Sequence, residues 1–364
     1  MNQTRLELVA APAPAPVTEL ERIGFDIGWD HAHHGLVPPA ELLLDGTPLG
    51  QGWRAGRAVF GSRTLTAQRT TRLWLALRID AWRRGIAFET QQVTPHYLGQ
   101  IQAERCPVLR LALGGASGDA TAAVVERINP GAGYAAGNLV TLSRRAADAR
   151  AGVDALTALR RAHGAHGTEN EGADIDAAAW FRMAALASFA TPLPFGLAAR
   201  MPLALLPPNR VRLLNAPQGL QALLTLQFAT PGWAARMRAI ADLLPEHTLR
   251  GDYNLFVGAL APRAMEAASA SGGVRQGLED AWLNERVQRR WQHFVLSLGE
   301  AGTAALLERC AARGLSGVRL ISHEAEQATE GWALNLGGRS ARPAANPPFR
   351  RGIRHAGSPP SPRP

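Results

Sequence analysis

The chain has 364 residues, of which 46% are hydrophobic and 19% charged, a balance that fits a globular protein with room for two cores. Its formal charge is +9 and it contains no lysine, so its 39 Lys-plus-Arg positions are all arginine. Two cysteines, Cys106 and Cys310, exclude both a Cys-x-x-Cys zinc knuckle and a disulfide framework.

That cysteine usage and the lack of a secretory pattern make a reducing cytoplasm the expected compartment. The most apolar window, 180–206, is interrupted by Arg182, Arg200 and several prolines, so no membrane partner is expected. Arginine binds phosphate oxygens in a bidentate way, which favours a nucleic-acid partner, DNA first. The competing explanation is GC-rich codon usage, which raises Arg, Ala, Gly and Pro together.

In chain order, residues 1–20 read as a linker, with alternating Ala-Pro over 11–16. Residues 20–65 are rich in Gly and Trp without a clear period, and they bring Asp26, Asp30, His31, His33 and His34 close together. These are competent ligands for a divalent ion, although a histidine-rich surface turn explains them as well. The spacing then predicts a helix over 66–84, with Trp74, Leu77 and Ala81 inward. Arg69, Arg72 and Arg83 lie on the opposite face, where Asp80 is the only acid, making this a candidate phosphate surface. Gly85 ends that helix. Thr94 and Pro95 open another to about residue 102. Strands are predicted over 106–111 and 121–127 around a loop at 112–120, followed by one helix over 143–163. Gly114-Gly115-Ala116-Ser117-Gly118 lacks the lysine of a phosphate-binding loop and reads as a hairpin turn.

Several motifs in this region go together: Arg83-Arg84-Gly85-Ile86-Ala87-Phe88, Cys106-Pro107-Val108, Arg127-Ile128, and Gly133-Tyr134-Ala135-Ala136-Gly137-Asn138-Leu139, with Ser143 and Ala146 beyond. Over residues 70–162 the chain thus resembles the phage-type HNH endonucleases, the ββα-metal family. The resemblance implies a two-strand-plus-helix module holding one divalent ion such as Mg²⁺, with a histidine base and a loop Asn that bonds backbone groups. By that correspondence Glu126 stands at the metal-binding Asp, Arg127 at the histidine, and Asn138 at the loop Asn. Ala147 stands where the helix ligand belongs and Arg150 at the following lysine, while Asp148 is turned about 100° away. Arginine stays protonated and cannot serve as the base near neutral pH. The implied activity is therefore nucleic-acid binding without cleavage, with Arg84, Arg144, Arg145 and Arg150 joining Arg69, Arg72 and Arg83 as phosphate contacts. The alternative is a residual metal-dependent nuclease using Glu126, Asn138 and one of His31, His33 or His34.

Residues 163–173 read as a domain boundary, 174–335 as an all-α domain and 336–364 as a tail. Helices are predicted over 177–189, 218–228, 232–244, 278–298 and 303–313. Arg286, Arg289, Arg290 and His293 form a basic stripe on the fourth. This half carries no catalytic signature and offers a possible surface for a protein partner. A third functional class, a protein-interaction module whose arginines reflect codon usage alone, stays open. The expected fold class is α+β, mainly helical, with a small ββα module in the N-terminal half and an all-α C-terminal part.

Overall fold

The computed structural model describes residues 18–116, 118–164, 175–267 and 273–315. Most of the expected leading linker, nearly all of the 163–173 boundary, and the tail lie outside them. Among the described residues the protein is mainly helical with one two-stranded antiparallel sheet. No helix there is long and apolar enough to cross a membrane.

The segment 20–65, expected to be irregular, instead forms two helices, α1 (Glu19–His33) and α2 (Pro48–Phe60). Thr18 opens α1 with a reciprocal capping box to Glu21, and Thr47 opens α2. The glycines in which this stretch is rich are its packing surface. A Cβ on Gly28 would overlap the Leu49 carbonyl oxygen, and one on Gly52 would overlap the carbonyl oxygen of Phe25. Gly56 meets the Ala32 methyl and the Trp29 backbone, so the two helices run in the same sense at very close approach.

Helix α3 (Arg69–Arg83) forms where predicted. It buries more of its surface than the expected stripe. Trp74, Leu77 and Ala81 pack towards Tyr97, Leu98 and Tyr134, while Ile79 joins Ile27, Leu42 and Leu49 of the α1–α2 layer. Arg78 is also buried, paired with Asp30 of α1 and lying over the Trp74 ring. Thr94 caps the short α4 (Pro95–Gln100) as expected.

The sheet consists of β1 (Ala123–Arg127) and β2 (Leu139–Ser143), with Glu126 opposite Val140 and Arg127 opposite Leu139. Only β1 matches a predicted strand. Residues 106–111 close on themselves instead: Cys106 N–H donates to the Leu111 carbonyl at 2.8 Å and Arg110 N–H to that of Cys106 at 2.7 Å. Pro107 has no N–H to give to a ladder and Arg110 takes a left-handed φ of 59°, which together favour a turn. The true partner strand, Leu139-Val140-Thr141-Leu142-Ser143, is buried along its whole length. The predicted 143–163 helix is two helices, α5 (Arg144–Arg150) and α6 (Ala155–Gly164). Gly152 turns the chain between them at φ 72°, and Asp154 caps the second through Thr157 N–H.

Further helices are α7 (Ala177–Phe189), α8 (Phe195–Arg200), α9 (Ala216–Gln227), α10 (Trp233–Ala241), α11 (His247–Ala267), α12 (Val274–Asp280) and α13 (Glu285–Ala312), the last kinked at Gly299. Their core is continuous with that of the sheet. Cys106, Ile128, Leu142 and Ala146 belong to the same buried cluster as Trp180, Phe256, Trp282 and Trp291. Polar ties reinforce the contact. Arg182 Nε donates to the Val108 carbonyl at 2.5 Å, and Arg110 donates to Asp280 at 2.7 and 2.9 Å and to the buried Glu279 at 3.2 Å.

Candidate functional site

The loop between the strands is built by Asn138, which is fully buried. Its Oδ1 accepts the Asn129 N–H at 2.8 Å, while its Nδ2 donates to the carbonyls of Asn129 at 3.1 Å and Gly133 at 2.9 Å. Both N–H groups and the carbonyl oxygen of the side chain go into holding the loop closed, and its full burial keeps it from touching a bound molecule directly. Gly137, with φ 94°, makes the turn into β2, and its N–H donates to the Tyr97 hydroxyl at 2.8 Å. Tyr134 is held on both sides of its backbone, by the Ala87 carbonyl and the Glu89 N–H, and its ring stacks on Phe88.

Around this loop six ionisable side chains converge. The Tyr134 hydroxyl donates to Asp80 at 2.6 Å, and Arg84 donates to the same carboxylate at 3.0 Å. Arg127 is buried under the Tyr134 ring and donates to the carbonyls of Pro130 and Ala132, both at 2.6 Å. Arg150 is buried and donates to the carbonyls of Arg127, at 2.5 Å, and Ile128. Its Nε has no partner among the described residues. Glu126 is half-buried at the end of β1 and makes no hydrogen bond among the described residues.

The electrostatics follow from burial. Desolvation raises the Glu126 carboxyl above its ordinary range, against the pull of Arg150, Arg127 and Arg84 and with help from Asp80. Burial also raises the Tyr134 phenol, assisted by its bond to Asp80. It lowers Arg127, and it lowers Arg150 to about 10, still charged at neutral pH. Arg84 is raised by Asp80 beside it.

These groups do not fit a divalent ion. The side chain of Ala147 on α5 is a methyl and offers no ligand, and the Arg150 guanidinium already places a cation against the carbonyls at the end of β1 and in the field of Glu126. The histidines do not complete the set. His31 is buried in α1 with Nδ1 2.8 Å from the Ile27 carbonyl, His33 stacks on Phe60, and the half-buried His34 has an Nδ1 with no partner among the described residues. Among the described residues no three His, Cys, Asp or Glu side chains form a group able to hold a metal.

The arginines expected on a phosphate surface separate in kind. Arg69, Arg72 and Arg83 on α3 and Arg84 just past its end are exposed, with Arg83 3.6 Å from Glu41. Arg144 and Arg145 are half-buried at the start of α5, and Arg150 is withdrawn from the surface altogether, its N–H groups committed to the backbone. Sequence reasoning missed Asp80 as a member of the site, having read it only as the one acid on a basic face. Its i,i+4 spacing to Arg84 is visible in the sequence; its bond to Tyr134, 54 positions away, is not. No protein-family model, curated protein or solved structure matches this chain.

Proposed function

We propose that the protein binds nucleic acid through the exposed arginine face of α3 and the adjoining strand-loop module, and that it does not cleave what it binds. The observation that supports this most is the convergence of the two parts. Asp80 and Arg84, at the C-terminal end of the α3 arginine face, reach the same charge cluster as Glu126, Arg127 and Tyr134. A phosphate backbone lying along Arg69, Arg72 and Arg83 would therefore meet the rim of the module directly. The absence of cleavage is supported by chemistry: the residue at the general-base position is a protonated arginine spending its N–H groups on two carbonyls. In the HNH-like reading the buried Arg150 supplies the positive charge that a metal would bring, but it cannot activate water.

The test is fluorescence anisotropy with a labelled duplex across a salt series, comparing the native protein with an Arg69→Gln/Arg72→Gln/Arg83→Gln variant. Binding should weaken steeply with salt, and the variant should lose ~0.9 in the log–log slope for each phosphate contact removed. A duplex affinity independent of salt, or equal for both proteins, would remove this reading. Incubation of supercoiled plasmid with Mg²⁺ or Mn²⁺ covers the nuclease alternative: nicking that disappears in Glu126→Ala would replace binding with catalysis.

A further inference from the structure

The arginines of this chain divide by what they do. Arg127, Arg150, Arg182, Arg236 and Arg309 donate to main-chain carbonyls and brace the fold. Arg286, Arg289 and Arg290, on the N-terminal half of α13, do none of this. All three are exposed, and among the described residues none of their guanidinium groups makes a hydrogen bond or has a carboxylate within ion-pair distance. With His293 they fall at i, i+3, i+4 and i+7, which places them on one face within an arc of about 100°. The opposite face carries Val287, Trp291, Phe294 and Val295, all at 2% exposure or less, so packing fixes the direction in which the basic face points.

Among the described residues no carboxylate comes within ion-pair distance of the three guanidinium groups: the exposed Glu285, four residues before Arg289, forms no ion pair, and Asp252 of α11 lies 3.3 Å from His293 Nε2 at the far end of the stripe. Like charges three and four residues apart destabilise a helix, and a merely solvated face carries mixed signs. The stripe spans ~10 Å along the helix axis, about the length over which one strand of a duplex presents three phosphates. We infer that this face of α13 is a second contact for a nucleic-acid phosphate backbone, separate in sequence and in position on the fold from the α3 face. The inference rests on the reading above only for the class of partner.

The experiment uses the full chain with labelled duplex and single-stranded oligonucleotides of one sequence. An Arg286→Gln/Arg289→Gln/Arg290→Gln variant is compared with the α3 variant and with the native protein. All three side chains are exposed and like-charged, so a thermal midpoint by circular dichroism at or slightly above the native value excludes misfolding. The expected result is a salt slope lower by about 2–3 and roughly tenfold weaker duplex binding at ~100 mM salt. Native-like binding by the α13 variant, with loss in the α3 variant, overturns this inference and leaves the α3 reading standing. Loss in the α13 variant alone does the reverse. Absence of any binding by the native chain to either oligonucleotide at low salt removes both.

Discussion

The Tyr134 hydroxyl donates to the Asp80 carboxylate at 2.6 Å, joining the arginine helix to the loop between the two strands. Asp80 also receives Arg84, so one carboxylate orients a loop tyrosine and an exposed arginine together. Tyr134→Phe keeps the ring that stacks on Phe88 and faces the Arg127 guanidinium, and loses only the bond. A cost of about 2 kcal/mol in urea unfolding is expected for a half-buried bond to a charged acceptor. An unchanged midpoint would show that Arg84 alone satisfies Asp80.

Asn138 is a sharper case, because it both donates and accepts while fully buried. Asn138→Ala leaves one N–H and two carbonyls of the loop short of a partner and should cost about 3 kcal/mol. Asn138→Asp keeps the acceptor for Asn129 N–H but loses both donors and buries a charge, so it should be at least as damaging. If the Asp variant proved as stable as the native protein, the donor bonds would not matter.

Arg150→Met removes the donors to Arg127 and Ile128 and leaves Glu126 without its main counter-charge. The expected loss is about 2–3 kcal/mol, chiefly from leaving two buried carbonyls without their donors. Adding Glu126→Gln should recover part of it, and a double-mutant cycle measures that coupling. Strict additivity of the two substitutions would mean that the charges do not interact.

The α1–α2 contact is limited by backbone approach. Gly28→Ala or Gly52→Ala forces two main chains apart and should destabilise by about 3 kcal/mol. Gly258→Ala in α11, where nothing lies within 4 Å of the new methyl, should instead stabilise by up to ~1 kcal/mol. Equal midpoints for these variants in thermal unfolding would refute the close-packed seam.

His31 gives a pH dependence. Burial lowers its pKa below the ordinary 6.5, aided by Arg78 and opposed by its bond to the Ile27 carbonyl and by Asp30. The unfolded chain then binds the proton more readily than the folded one. Stability should be fully present above pH 6.5 and fall as the pH drops from there towards the lower folded value. His34, also lowered by burial, acts in the same direction. Unfolding free energies between about pH 7 and 5 should show a smaller slope in His31→Gln, and an unaltered slope would assign the effect elsewhere.

Local chemistry was readable without coordinates wherever a residue acts on its own neighbours. The Thr94-Pro95 start, the α3 arginine face and the strand at Ala123–Arg127 follow from capping, helical period and β-branched composition. The same reading found no clear period in residues 20–65, because nothing along the chain tells a glycine needed for a turn from one needed for contact with a second helix. It also placed a strand at 106–111 and missed Leu139–Ser143, since pairing depends on which segment lies opposite.

The composition and order of residues thus determined a mainly helical chain, an arginine-bearing helix and a glycine-bound loop around Asn138. Only the tertiary structure decided that Asp80 meets Tyr134, that Arg150 turns inward while Arg286, Arg289 and Arg290 stay unpaired outside, and that one core runs through both halves. The reason is distance along the chain: helix period and capping act over a few residues, whereas desolvation of a guanidinium depends on everything packed around it.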